Sequence, residues 1–159
     1  MTSRASHSLR VSRTIRAEPD RLFQAWTDPE ALVHWWRMDE EGWTFAGASI
    51  DLRVGGGYRL GMTDPNGKTH VAVGVYREIE RPRRLVFTWD WEDPASRLGE
   101  TVVTVELKPV GSRKTEVLVT HEGFRQPERM TRHENGWTQL LALLDRFEGR
   151  RSETKENKE

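Results

Sequence analysis

The feature that most restricts what this chain can fold into is a change of period. From about residue 48 to residue 121 apolar residues tend to recur at every second position, and after residue 127 one long stretch returns to helical spacing. Period two marks a strand with one buried face, whereas a 3.6-residue period marks a helix with one buried stripe. Five or six strands in succession, with turn signals between them, read as an antiparallel meander.

Within that run, residues 51–54 and 58–62 are strand segments parted by Gly55, Gly56 and Gly57, and Asp64-Pro65-Asn66-Gly67 turns the chain into HVAVGVYREI. Residues 84–92 alternate Leu85, Phe87, Trp89 and Trp91 with Val86, Thr88, Asp90 and Glu92, a strand with two distinct faces. Residues 101–107 and 116–121 supply two more strands, with Gly111-Ser112 in the turn. Ahead of the run, Leu9, Val11, Arg13 and Ile15 share one face of a first strand, interrupted at Arg13. Pro19 and then Asp28-Pro29-Glu30 open two short helices, carrying Leu22, Phe23 and Trp26 and then Leu32, Val33, Trp35 and Trp36.

The last helix has two candidate starts, Pro127 or a capping box from Thr131 to Glu134, and the earlier is favoured. Its stripe is His133, Trp137, Leu140, Leu141, Leu144 and Phe147. Gly136 interrupts it at a cost of about 1 kcal/mol relative to alanine, and would let a strand or a ligand approach closely. The sequence divides into a disordered polar arm (1–8), a single domain (9–148) and a flexible charged tail (149–159) that lacks apolar periodicity.

Composition narrows the function. Lys+Arg and Asp+Glu both number 25, so no basic field draws the chain to nucleic acid or an anionic membrane. The absence of cysteine excludes disulfides, thiolate zinc sites and a cysteine nucleophile. The first residues have no apolar core of a signal peptide, and no run approaches the roughly 20 apolar residues that span a bilayer, so a cytoplasmic protein is expected. The triple glycine is no phosphate cradle, because Leu60 stands where the last glycine of GxGxxG would fall and a strand follows. Neither HExxH nor GxSxG occurs, so no metal and no cofactor are expected.

Four spaced segments carry a resemblance: WTDPEALVHWW (26–36), DLRVGGGYRLGM (51–62), GVYREIERPRRLVFTW (74–89) and HENGWTQLL (133–141). Together, over residues 9–148, the chain resembles the family of proteins similar to the activator of heat-shock-protein-90 ATPase, in the START-like SRPBCC superfamily. The resemblance implies an α+β helix-grip fold, in which a curved antiparallel sheet of six to seven strands wraps a long C-terminal helix, with two short helices after strand 1. It also implies an apolar cavity between sheet and helix.

On that basis the ligand-facing candidates are Val73, Val75, Phe87, Trp89, Val103 and Val105 on the sheet, with Trp35 from the second short helix. His133, Trp137, Leu140 and Leu141 approach from the last helix, and His121 shares the face of Val117 and Val119. His121 and His133 are the polar candidates to orient a ligand. The leading reading is a binding module for a small apolar or aromatic molecule, without covalent chemistry. A cyclase- or aromatase-like enzyme using the pocket histidines is one alternative, and a chaperone-interacting ATPase activator-like protein is another. The family's eukaryotic co-chaperones carry an additional N-terminal domain where this chain has a short polar arm, which ranks the chaperone reading lower. A homodimer is open to the chain through exposed aromatics such as Trp43.

Overall fold

A computed structural model describes residues 6–157, with side chains as far as residue 151. Strand β1 (His7–Ile15) leads into helices α1 (Pro19–Thr27) and α2 (Pro29–Leu32). Six strands follow: β2 (Thr44–Ile50), β3 (Gly57–Thr63), β4 (Thr69–Glu80), β5 (Arg84–Trp91), β6 (Thr101–Gly111) and β7 (Lys114–Phe124). Helix α3 (Pro127–Asn157) closes the fold. All seven strands form one antiparallel sheet in the order β1-β7-β6-β5-β4-β3-β2. The helix-grip architecture expected from the sequence is what forms.

Local chemistry sets the helix starts. Each helix has proline in its first turn, and the Asp28 carboxylate accepts from the Glu30 amide at 2.9 Å, capping α2. The Thr131 hydroxyl donates back to the Pro127 carbonyl instead of capping, so α3 takes the earlier of its two starts. Its stripe lands as read: Trp137, Leu140, Leu141, Leu144 and Phe147 are buried, and His133 is half-buried. Fully burying one such leucine is worth about 1.5–3 kcal/mol. Facing them on the sheet are Phe87 and Trp89 of β5, Val103 and Val105 of β6, and Val117 and Val119 of β7. Arg13, the break in the first strand, pairs with Asp145 of α3 at 2.8 Å, so the polar residue on that face of the edge strand meets the helix rather than the core.

Four expectations are corrected. Residues 51–54 are a turn and β2 lies before them, because Gly56 packs so tightly that a Cβ would fall 2.1 Å from the Asp51 carbonyl oxygen. Val73 and Val75 do not share the inner face. Ala72 and Tyr76 do, with Ala72 opposite Trp91 and Tyr76 opposite Phe87, and Val75 is 42% exposed. β1 begins at His7, inside the expected arm, and residues 1–5 lie outside the described part of the chain. Residues 149–157, expected as a flexible tail, continue α3: Arg151 pairs with Glu148 at 3.3 Å and sits over the Phe147 ring at 4.8 Å, contacts that an apolar-periodicity argument does not register.

Candidate functional site

The site is a cavity of about 370 Å³ between one end of α3 and the β3–β5 part of the sheet. Strands contribute Met62, His70, Trp89 and Trp91. The segment after α2 contributes Trp36, Met38 and Trp43, and the loop after β5 contributes Ala95, Ser96 and Leu98. From α3 come Arg129, Arg132, His133, Gly136, Trp137 and Leu140, spaced to fall on or beside one helical face. The segment after α2 is clamped to the helix, since the Asp39 amide donates to Gln139 Oε1 at 2.9 Å and Arg146 grips the Asp39 carboxylate.

Behind the cavity wall runs a continuous buried polar chain. The Trp137 indole N–H donates to His121 Nδ1 at 3.1 Å; an indole nitrogen only donates, so Nδ1 accepts and the proton of the neutral ring sits on Nε2. His121 Nε2 then donates to the Thr101 hydroxyl at 2.8 Å, and that hydroxyl donates to the Trp89 carbonyl at 2.5 Å. His121 is fully buried, and burial, reinforced by the neighbouring His133, pushes its pKa down to about 2. It is a neutral ring at any ordinary pH.

His133 is committed in the same way. Trp91 Nε1 donates to its Nε2 at 3.1 Å, so Nδ1 carries the proton and donates to the Arg129 carbonyl at 2.7 Å. Burial lowers its pKa, the bond to the Arg129 carbonyl opposes this, and the Arg129 charge adds to the lowering. A third histidine, His70, is half-buried between the Trp43 and Trp91 rings and joins Asp64 Oδ2 through Nε2 at 2.9 Å. That bond, supported by the Asn66 and Lys68 amides, holds the Asp64 carboxyl below its usual range.

The indole nitrogens of Trp26, Trp36 and Trp89 have no hydrogen-bond partner. Each ring stands edge-on or tilted against another aromatic: Trp26 against Trp35, and Trp36 against Trp89. The site is thus an aromatic box whose two deeper histidines have no nitrogen to spare.

Of the residues singled out from sequence, Trp89, His133, Trp137 and Leu140 line the cavity together. Trp36 takes the wall position expected of Trp35, whose indole instead donates to the Ala25 carbonyl at 3.1 Å inside the core. Val103, Val105 and Leu141 are buried beneath the site, Phe87 packs against Tyr58 and Tyr76, and His121 stands behind the Trp137 wall. Val73 and Val75 lie on the other face of β4. Sequence reasoning missed Met38, Met62, His70, Trp91, Arg129 and Arg132 as wall residues. Trp91 was signalled by its parity with Trp89, and Arg129 and Arg132 by their helical spacing from His133 and Gly136.

Among the described residues no group of three His, Asp or Glu is placed to hold a metal, and no helix is long and apolar enough to cross a membrane. The family model described as activator of Hsp90 ATPase homolog 1-like protein matches residues 16–148. No curated protein matches the chain. Among solved structures, the AHSA1 protein of Silicibacter pomeroyi is 28% identical with a TM-score of 0.74, covering 87% of this chain and 95% of its own. A protein from Rhizobium loti is 27% identical with a TM-score of 0.74, at 90% and 97% coverage. An HSP90 activator from Plasmodium falciparum is 26% identical with a TM-score of 0.69, at 89% and 96% coverage.

Proposed function

This chain belongs to the family of activator of Hsp90 ATPase homolog 1-like proteins, and we propose that it acts as a binding domain that holds a small apolar or aromatic molecule between its sheet and α3, without covalent chemistry. The observation that supports this reading is the cavity itself: about 370 Å³, walled by five tryptophans. Small-molecule sites fall at about 300–1,000 Å³, with apolar walls and few polar groups.

The enzyme alternative is weakened by the same geometry. Acid–base catalysis needs a group free to exchange a proton with substrate, and both nitrogens of His121 and of His133 are spent on protein partners. A chaperone-directed role is the second reading, favoured by the likeness to the Plasmodium falciparum HSP90 activator.

The test is titration of the protein with 2-naphthol, a neutral bicyclic aromatic, while the indole N–H signals are followed by nuclear magnetic resonance. Saturable shifts of the Trp89, Trp91 and Trp137 signals, lost in Gly136→Leu, are expected. Unmoved indole signals would count against the binding module. Stimulation of a bacterial Hsp90-type ATPase by the ligand-free protein would favour the second reading.

A further inference from the structure

The cavity is electrically lopsided. None of its lining residues is Asp or Glu, whereas Arg129 and Arg132 both contribute to it, although the chain as a whole balances at 25 charges of each sign. Of the carboxylates on neighbouring segments, Asp64 pairs with His70, Glu92 with Arg59 and Asp93 with Lys68, while Glu128 of α3, one turn before Arg132, forms no ion pair among the described residues and is not part of the cavity lining. Asp90 Oδ1 is taken by the Trp91 and Leu98 amides at 2.8 Å each.

Neither arginine forms an ion pair among the described residues. Arg129 Nη1 donates to the Ser96 and Arg97 carbonyls at 2.9 Å each, which holds the guanidinium in place without neutralising it. Arg132 forms no hydrogen bond among the described residues. An adjoining void of about 80 Å³ shares Leu98 and Arg129 and adds Arg97 and Arg125, again with no acid. Two guanidiniums without a carboxylate partner leave donors open at the edge of an apolar wall, and an anion bound there gains charge-assisted hydrogen bonds.

We infer that the ligand is an amphipathic anion, an aromatic or apolar carboxylate whose ring system lies against the indoles and whose carboxylate is anchored by Arg132, with Arg129 beside it. This rests on the binding reading above. A planar carboxylate matches the fork of one guanidinium, and the remainder of the cavity is hydrocarbon and indole.

The experiment is calorimetric titration with 2-naphthoate and its neutral analogue 2-naphthamide, on the wild type, Arg132→Ala and Arg132→Glu. The wild type is expected to bind naphthoate at least about fivefold more tightly than naphthamide, the preference weakening with added salt. Arg132→Ala is expected to erase most of that preference and Arg132→Glu to reverse it. Equal wild-type affinity for the two, or a preference that survives in Arg132→Glu, overturns the anion inference and leaves the binding module standing. Failure of both compounds to bind overturns the two together.

Discussion

The indole N–H of Trp137 donates to Nδ1 of His121 across 3.1 Å, joining α3 to the sheet through a contact from which water is excluded. Because His121 Nε2–H donates to the Thr101 hydroxyl, and that hydroxyl to the Trp89 carbonyl, every donor of this buried relay has an acceptor. The histidine on the sheet is therefore a structural element that sets the orientation of a cavity wall.

Trp137→Phe removes the donor and leaves a buried nitrogen unpaired, for which about 1–3 kcal/mol of stability should be lost in denaturant unfolding, apart from the smaller ring. His121→Phe/Trp137→Phe removes both partners, and its loss should fall short of the sum of the single variants. Strict additivity would show that the hydrogen bond contributes nothing.

Stability should fall as the solution is acidified below the ordinary histidine value of 6.5. The pKa values of His121 and His133 are lowered in the folded chain, so from 6.5 downwards the unfolded chain binds more protons and gains relative stability, by up to about 1.4 kcal/mol per pH unit for each group. For His121 this continues to about pH 2. Replacing His121 with phenylalanine should flatten the acid limb of a stability-against-pH curve. Protonation of His133 at Nε2 would also set two donors face to face with Trp91, so a change in Trp91 emission should accompany it.

Gly136 lies inside α3 with its nearest obstruction to a Cβ, the Met38 side chain, at 3.9 Å. Gly136→Ala should therefore raise stability by about 0.5–1 kcal/mol, read as a higher denaturant midpoint. Gly136→Leu should fill part of the cavity and abolish 2-naphthol binding while circular dichroism stays unchanged.

Gly74 presents the opposite case. A Cβ there would lie 2.0 Å from the Thr88 carbonyl oxygen and 2.8 Å from a Tyr58 ring carbon, so the neighbouring backbone has to move. Gly74→Ala should cost about 3 kcal/mol or more, against about 1 kcal/mol for a typical substitution. A midpoint within error of wild type would contradict the close approach of β4 and β5.

Arg132→Ala should leave the unfolding midpoint within about 0.5 kcal/mol of wild type, since the exposed side chain makes no hydrogen bond or ion pair among the described residues. If the anion site proposed above is right, its effect falls on ligand selection, and a large loss of stability would reveal a structural role.

Much of the architecture was legible because periodicity reports which side of an element leaves water. The helical spacing from Trp137 to Phe147 named the buried stripe of α3, the alternation of Leu85, Phe87 and Trp89 named the inner face of β5, and both hold. Periodicity is ambiguous where both faces of a strand carry apolar residues. In β4 the valines looked like the core face, yet Ala72 and Tyr76 point inward with Gly74 between them, because β4 and β5 approach too closely at Gly74 for a side chain. The choice between Trp35 and Trp36 turned on how the chain leaves α2, which no local pattern encodes. Only the tertiary structure decided what the histidines do: His121 meets Trp137 and His133 meets Trp91, pairs that lie 16 and 42 positions apart. A sequence records that a nitrogen must be satisfied when it is buried, and the fold decides by which partner, because partners are chosen by the curvature of the sheet and the seat of the helix within it.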